Sequence, residues 1–277
     1  MILAVDVGNS NTTVGLFNGT GELLFRALLE TSRSKTRDQC AIELLGVFQL
    51  YGADACTVDG AILSSVVPPL TTIFTDAIAR LTGIPPMVVG PGIRTGLNIK
   101  AEIHNQLGSD IVASSVAAIA KYPSPIVMVD MGTATSLSLI VGSVYEGCII
   151  MPGLALALDA LSERAAALPP ISIETASPVG LMGHTTEEAM RSGVLYGHAS
   201  MVDGMLERIE ESIGQSVTTV ATGGNAPRIL RYCKRPIQYD ADLIMTLFAL
   251  PEKRKKVPES VTGHAIFCTQ RLSAVGK

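Results

Sequence analysis

The sequence predicts an α/β fold made of two halves that repeat one structural pattern. Residues 2–6 (ILAVD) and 126–130 (IVMVD) are apolar runs of strand length, and each ends in Asp-x-Gly followed by small hydroxyl or amide residues. Each run continues into a second stretch of β character, which predicts a strand, a tight turn and a returning strand, used twice. Elsewhere, strand-length segments alternate with helical patterns. Each half is therefore a plausible domain, with predicted limits 1–118 and 119–277.

Further elements are predicted between and after these two hairpins. Helices are predicted where apolar residues recur at helical spacing, and strands where short apolar runs end in turn residues. Thr36 with Gln39 and Thr185 with Glu188 fit capping boxes at the starts of two helices. The predicted helices cover 36–51, 70–81, 109–122 and 186–213, and the predicted strands cover 59–67, 87–89 and 216–222.

Composition restricts the class of protein. Hydrophobic residues make up 47% and charged residues 17%, which allows a sizeable core and argues against disorder. The sequence has no run of about 18 apolar residues, and its N-terminus is typical of a buried strand rather than a signal peptide. Five scattered cysteines without a CxxC pair favour a reducing cytoplasm, and four histidines lack metal-ligand spacing. The net charge of -4 predicts no binding to nucleic acid.

Loop 1, defined as residues 6–13, carries the groups that a phosphate requires. A phosphate needs several hydrogen-bond donors at short range and no bulky side chain beside it. Gly8 would let the backbone approach, so that successive N–H groups point at one cluster of oxygens. Asp6 would hold a hydrated magnesium ion, which keeps its waters and takes few carboxylates. Side-chain donors come from Asn9, Ser10, Asn11 and Thr12.

Loop 2, defined as residues 130–135, repeats this arrangement. Gly132, Thr133 and Thr135 could bind another part of a triphosphate, and Asp130 is again placed to bind a cation. After a third predicted strand, Gly223 and Gly224 suit a backbone that passes close to a flat adenosine. The two loops and the Gly-Gly turn together predict a nucleotide site.

An ordinary hairpin turn is the alternative for either loop alone, because Asp, Gly and Asn are common turn residues. Two such loops after matched strands favour nucleotide binding instead. Neither the P-loop sequence GxxxxGK[ST] nor the dinucleotide sequence GxGxxG is present. The sequence therefore argues against P-loop kinases and dinucleotide-dependent enzymes.

A kinase also needs a base near its acceptor hydroxyl, and Asp110 in LGSDIVASS is the best candidate. It stands at the start of a predicted helix. The alternative is that Ser109 or Asp110 only caps that helix.

Seven segments of the chain resemble the type III pantothenate kinases, in order, from residue 1 to about 250. The resemblance implies two tandem actin-like (ribonuclease H-like) ATPase domains with mixed five-stranded sheets. It implies a bacterial homodimer that uses ATP, Mg²⁺ and K⁺ or NH₄⁺ to make 4'-phosphopantothenate, the first step of coenzyme A synthesis. The segments are VDVGNSNTTVGLF, GPGIRTGLNIK, LGSDIVASSVAA, VDMGTATSLSL, GCIIMPGLALALDALSERAAALP, MRSGVLYG and ATGGNA.

The resemblance assigns roles to individual residues. Asp110 matches the proton acceptor, Asp130 the potassium ligand and Thr133 an ATP contact. Thr186 matches a pantothenate contact reached across the dimer. The pantothenate segment comprises Gly108, Ser109, Asp110 and Ile111. The ATP phosphate loop comprises Asp6, Val7, Gly8, Asn9, Ser10, Asn11, Thr12 and Thr13. The implied reaction is in-line transfer, with Asp110 taking the proton of the primary hydroxyl.

The chain departs from the family around the acceptor. The family reads Gly-Ala-Asp-Arg where Ser109 and Ile111 flank the aspartate, and a tyrosine and a proline where this chain has Ala101 and His104. Loss of a bidentate arginine from a carboxylate site would cost about 1.5–3 kcal/mol of binding. Arg94 and Arg164 are the candidates to compensate. These departures leave open a divergent paralogue that phosphorylates another alcohol or regulates, and, third, a nucleotide-switched assembly protein.

Overall fold

The structure is a computed structural model that describes residues 1–90, 96–100, 107–173 and 179–245. Arg94, Ala101 and His104 lie outside the described residues. The chain divides into two compact units, of which the first is Met1–Lys121 joined by the chain from Asp242 onward and the second is Tyr122–Ala241. The domain limits expected from the sequence, 1–118 and 119–277, remain predictions. No helix among the described residues is long and apolar enough to cross a membrane.

The first unit contains a mixed five-stranded sheet, as predicted. The strand order is β3-β2-β1-β4-β5, with β1 antiparallel to β2 and parallel to β4. Apolar side chains from β1, β2 and β4 pack with the first two helices. In chain order the elements are β1 (Ile2–Val7), β2 (Asn11–Phe17), β3 (Leu23–Glu30), α1 (Arg37–Leu50), β4 (Gly60–Ser65), α2 (Pro68–Thr82), β5 (Met87–Val88), β6 (Asn98–Ile99) and α3 (Ser109–Lys121).

The second unit repeats this topology. Its own five strands follow the order β9-β8-β7-β10-β11, with β7 antiparallel to β8 and parallel to β10. Apolar residues of β7 and β8 pack with α4, α5 and α6 to form its core. In chain order the elements are β7 (Ile126–Met131), β8 (Ala134–Val141), β9 (Val144–Pro152), α4 (Leu154–Arg164), α5 (Thr186–Ile213), β10 (Thr218–Thr222), α6 (Ala226–Leu230) and β11 (Gln238–Tyr239).

The predicted helices are confirmed, with small shifts at their ends. Both capping residues, Thr36 and Thr185, accept a hydrogen bond from the backbone N–H three residues on. The helix expected from residue 70 begins earlier, at Pro68, because proline in the first turn forfeits no helical hydrogen bond.

Several elements were missed from sequence, among them β3, β9, α4 and α6 and the two-residue strands β6 and β11. The alternating pattern of β3 was not identified. Helix α4 begins immediately after Gly153, in a segment that the sequence suggested was broken at Pro152 and Gly153. The short α6 follows Asn225 and carries Pro in its first turn.

Candidate active site

Loop 1 contains the three-residue turn 8–10, which joins β1 to β2. Val7 pairs with Thr12, and the Gly8 N–H donates to Asn11 O at 3.0 Å across the loop. A Cβ on Gly8 would lie 3.0 Å from that same oxygen, so only glycine fits comfortably. The turn exposes the side chains of Asn9, Ser10 and Asn11. Loop 1 therefore presents three of its predicted donor residues to solvent.

Thr12 lies behind loop 1 rather than on its surface. Its side chain is buried, and its Oγ1 is 2.8 Å from Oγ1 of Thr31 at the end of β3. The Thr31 N–H also donates to Ser10 O at 3.0 Å. Thr12 thus ties loop 1 to β3, where the sequence suggested a side-chain donor to phosphate. Strand alternation is the physical reason, because the residue after an exposed one points to the opposite face.

Loop 2 makes a tighter turn between β7 and β8. Met131 pairs with Thr135, and the Gly132 N–H donates to Ala134 O at 3.0 Å. Thr133 is exposed at the tip, as its predicted ATP contact requires. Thr135, in contrast, is fully buried, and within the described part of the chain its Oγ1 has no hydrogen-bond partner. The expectation that Thr135 reaches the triphosphate is therefore not supported by its orientation.

Two residues that the sequence reasoning missed hold loop 2 in place. The Gly153 N–H donates to Thr133 O at 3.1 Å, and a Cβ on Gly153 would come within 2.2 Å of that oxygen. The Asn225 N–H donates to Met131 O at 3.0 Å, and its Nδ2 donates to Gly132 O at 3.1 Å. These hydrogen bonds fix three successive carbonyls of loop 2, those of Met131, Gly132 and Thr133. In the sequence, Gly153 and Asn225 could have been found from their places in the motifs MPG and GGNA.

Gly223 follows β10 and packs against the end of β7. Its φ is +90°, and a Cβ there would lie 2.6 Å from Asp130 Oδ1 and 2.7 Å from the Met131 carbonyl. Thr222 pairs in parallel register with Asp130, which explains this close approach. Gly224 meets no described atom within 4 Å of a Cβ. Of the two glycines, Gly223 shapes the surroundings of Asp130 and Gly224 leaves space beside the turn.

Asp110 lies in the first turn of α3, where the Val112 N–H donates to Gly108 O at 3.1 Å. Its carboxylate is half-buried, and Oδ1 accepts the Ile111 N–H at 2.8 Å. Burial raises the pKa of the Asp110 carboxyl, and the hydrogen bond from Ile111 opposes that rise. A Cβ on Gly108 would lie 2.3 Å from Oδ1, so the carboxylate occupies space that only glycine leaves open. Asp110 thus makes a helix-end hydrogen bond and retains a raised pKa.

Strand β4 connects Asp110 to loop 1 within the first unit. Ser64 and Ser65 pair in register with Asp6 and Val7, where loop 1 begins. The hydroxyl of Ser109, next to Asp110, contacts both serines at 3.2 Å. The first turn of α3, which carries the candidate base, is therefore held against the end of β4, the strand next to the one at which loop 1 begins.

Thr186 is the first residue of α5, in the second unit, and is exposed. Thr185 Oγ1 accepts the Glu188 N–H at 3.2 Å, and the Glu188 carboxylate accepts the His184 N–H at 2.8 Å. Gly183 packs so closely on the Ala189 N–H that a Cβ would lie 2.2 Å away. These contacts fix the start of α5, which carries Thr186. Arg164 is exposed in the last turn of α4.

The cation sites expected at Asp6 and Asp130 have suitable chemistry. Both are carboxylates at the ends of equivalent strands, β1 and β7, each followed by a glycine turn. Carboxylate oxygens are ligands that magnesium and other hard cations accept. Among the described residues no three His, Cys, Asp or Glu side chains cluster as a metal site.

Solved structures with low sequence identity show the fold. The activator of the 2-hydroxyisocaproyl-CoA dehydratase from Clostridium difficile is similar with a TM-score of 0.54 at 11% identity, over 96% of this chain and 99% of that one. A ROK family glucokinase from Streptomyces griseus gives a TM-score of 0.50 at 12% identity, over 90% of this chain and 97% of that one. These neighbours confirm the actin-like ATPase and sugar-kinase fold class.

Sequence relatives show the family. The family model of the type III pantothenate kinases matches residues 2–208. A type III pantothenate kinase from an Exiguobacterium species is 38% identical over 246 residues, covering 88% of this chain and 95% of the relative. That from Halalkalibacterium halodurans is 39% identical over 230 residues, covering 83% and 89%. The divergent-paralogue alternative is not favoured by these matches. The chain belongs to the type III pantothenate kinases, which phosphorylate pantothenate with ATP in coenzyme A biosynthesis.

Proposed function

We propose that Asp110 is the general base of this phosphoryl transfer. The observation that carries the proposal is the half-buried carboxylate at the start of α3, one strand away from loop 1. Burial raises the pKa of Asp110, and a general base is most effective when its pKa approaches the working pH. Because Oδ1 is engaged by the Ile111 N–H, we assign the incoming proton to Oδ2.

In the proposed mechanism, loop 1 and loop 2 hold the triphosphate while Asp110 prepares the acceptor. Gly8 and the exposed side chains of loop 1 bind phosphate oxygens, and Thr133 contributes from loop 2. Asp110 accepts the proton of the primary hydroxyl of pantothenate as its oxygen attacks the γ-phosphorus, and ADP leaves in line. Gly223 and Gly224 line the path of the nucleoside. Within loop 1, Val7 lies in β1 and Thr13 in β2, and both are proposed to belong to the ATP phosphate site.

Two cations fit the acidic residues at the strand ends. Asp6 would hold Mg²⁺ through its waters, and Asp130 would hold K⁺ or NH₄⁺. When bound, these ions would neutralise charge on the transferring phosphoryl group. The protein's own part is to supply these carboxylates, and Gly223 leaves the space that the Asp130 carboxylate occupies, since a Cβ there would lie 2.6 Å from its Oδ1.

The acceptor pocket is proposed to involve Gly108, Ser109, Asp110, Ile111 and Thr186. Ile111 is half-buried and apolar, so the pantothenate carboxylate needs a cation from elsewhere. Arg94 and Arg164 are the candidates. If Arg94→Ala and Arg164→Ala each leave the KM for pantothenate unchanged, this compensation is wrong.

A homodimer is proposed, with Thr186 of one protomer completing the pantothenate site of its partner. The second unit exposes large apolar side chains that a partner could cover: Ile150, Leu156, Leu181 and Met182. Light scattering of the purified protein should give twice the chain mass. Ile150→Asp with Met182→Asp should yield monomers with weakened pantothenate binding, and a monomeric, fully active wild type would contradict the proposal. A cytoplasmic location is proposed as well.

One assay tests the reaction and the base together. Purified protein, ATP, Mg²⁺ and pantothenate should give 4'-phosphopantothenate in potassium and much less in sodium. Asp110→Asn should remove turnover and leave ATP affinity unchanged, as measured by calorimetry. If Asp110→Asn keeps its activity, Asp110 is not the general base and only caps the helix.

A further inference from the structure

The Ser109 hydroxyl is directed at β4 and uses its full hydrogen-bonding capacity there. Its Oγ accepts the Ser65 N–H at 3.2 Å and donates to Ser65 O at 3.2 Å. The Ser64 Oγ is also 3.2 Å away and can donate to it. A hydroxyl has one donor hydrogen and two acceptor lone pairs, so these three contacts satisfy it. The side chain next to the candidate base is therefore committed to the protein framework.

The backbone of Ser65 is open to this partner because the neighbouring strand stops short. Strand β5 pairs with Ile62 and Leu63 and ends at Val88, and the Val89 N–H then donates to Leu63 O at 2.8 Å. Ser65 lies two residues beyond this last contact. Its N–H and carbonyl on that edge are met by Ser109, which occupies the place of the missing strand.

The other edge of Ser65 is fixed to loop 1. Ser65 pairs with Val7, and the next N–H, that of Val66, donates to Val7 O at 3.0 Å. The Ser65 hydroxyl accepts from Thr71 Oγ1 at 3.0 Å, which adds a link to α2. Ser109 is therefore joined to the strand end at which loop 1 begins, through a single intervening residue.

We propose that Ser109 is a positioning residue that sets the location of Asp110 relative to the phosphates held by loop 1. This proposal rests on the proposed role of Asp110 as the base. Its side chain acts on the aspartate, so Ser109 would take part in the acceptor pocket through its backbone alone. Misplacement of a catalytic group by about 1 Å can cost two orders of magnitude in rate, so one such tether is sufficient to matter.

Ser109→Ala tests the proposal, and Ser115→Ala is its matched control. Ser115 is a fully buried serine on the same helix whose Oγ, within the described residues, has no hydrogen-bond partner. We expect Ser109→Ala to lower kcat roughly tenfold, with KM for ATP and pantothenate within about twofold of wild type. Ser115→Ala should keep wild-type kinetics. Ser109→Thr retains the hydroxyl and should recover most of the lost kcat.

A double-mutant cycle separates positioning from a structural or binding role. In single-turnover assays at high enzyme concentration, Ser109→Ala should add no further loss to Asp110→Asn, because its effect passes through the carboxylate. A raised KM for pantothenate with unchanged kcat would overturn the proposal in favour of substrate contact. An equal loss in both backgrounds, wild-type behaviour of Ser109→Ala, or no recovery in Ser109→Thr would also overturn it. If Asp110→Asn itself stays active, the assignment of the base fails instead.

Discussion

The Asp130 carboxylate lies against Gly223, although 93 residues separate them in the sequence. A Cβ on Gly223 would approach Asp130 Oδ1 to 2.6 Å and the Met131 carbonyl carbon to 2.7 Å. The register of β7 and β10 produces this contact, because Asp130 pairs with Thr222 just before the turn. The glycine therefore shapes the surroundings of the residue proposed to bind the monovalent cation.

Gly223→Ala should damage both stability and cation activation. Its φ of +90° is unfavourable for alanine, and the new methyl group would push the end of β7. A strained backbone site costs about 1–3 kcal/mol, which urea denaturation can measure. We also expect a weaker rise in activity when potassium is titrated against sodium.

Gly224→Ala is the matched control for stability. No described atom lies within 4 Å of a Cβ at this position. Its urea midpoint should equal that of wild type. If the two alanine variants are equally stable, the close packing of Gly223 on Asp130 is wrong.

Asp110→Asn should stabilise the fold in a manner that depends on pH. Burial raises the pKa of Asp110 in the folded state above its unfolded value, so the folded state resists ionisation. Below the unfolded pKa both states are protonated and the carboxyl imposes no penalty. The penalty grows as pH rises and is complete above the folded pKa. The variant should therefore exceed wild type in free energy of unfolding near neutral pH, and this difference should vanish near about pH 3.

A constant difference across the pH range would contradict the raised pKa. Thermal or urea unfolding at several pH values supplies the measurement. The same variant is expected to be inactive, so a gain in stability with loss of turnover would identify Asp110 as a functional group retained at some cost to the fold.

Asn225 variants should weaken ATP binding through loop 2. The Asn225 side chain donates to Gly132 O and in turn accepts from Arg228 at 3.1 Å. Asn225→Ala removes the donor and should cost about 1 kcal/mol of stability, with a several-fold higher KM for ATP. Asn225→Asp places a carboxylate oxygen against the Gly132 carbonyl and should be worse. An aspartate variant better than the alanine variant would contradict this hydrogen bond.

The cysteines should differ in reactivity toward a thiol reagent. Burial raises the pKa of the Cys233 thiol to about 12, and burial also raises that of Cys40. Cys56 is exposed. Because the thiolate is the nucleophile, alkylation of the native protein near neutral pH should label Cys56 and leave Cys40 and Cys233 unmodified. Peptide mass spectrometry after unfolding in denaturant should find all three labelled, and rapid native labelling of Cys233 would contradict its raised pKa.

Much of the fold was predictable because the signals are local. The apolar runs at residues 2–6 and 126–130, each ending in turn residues, predict two strands, and both hairpins are present. Helix α5 was predicted with its correct limits, since Thr185 caps its start and Gly214 ends it with a φ of +68°. The exposed tips of both loops were also predicted from the sequence, while the roles of Asp110 and Asp130 stay predictions.

Tertiary structure alone decided which of the predicted groups face outward and what holds them. Thr12 and Thr135 resembled exposed donors in the sequence, yet strand alternation and packing bury both. The supports of the site are contacts between distant segments: Asn225 reaches Gly132 across 93 residues, and Ser109 reaches Ser65 across 44. Turn residues and hydrophobic periodicity act between neighbours in the chain, so the sequence predicts from them where the strands, helices and loops lie. The partners of those loops depend on strand register, which exists only once the sheets have formed.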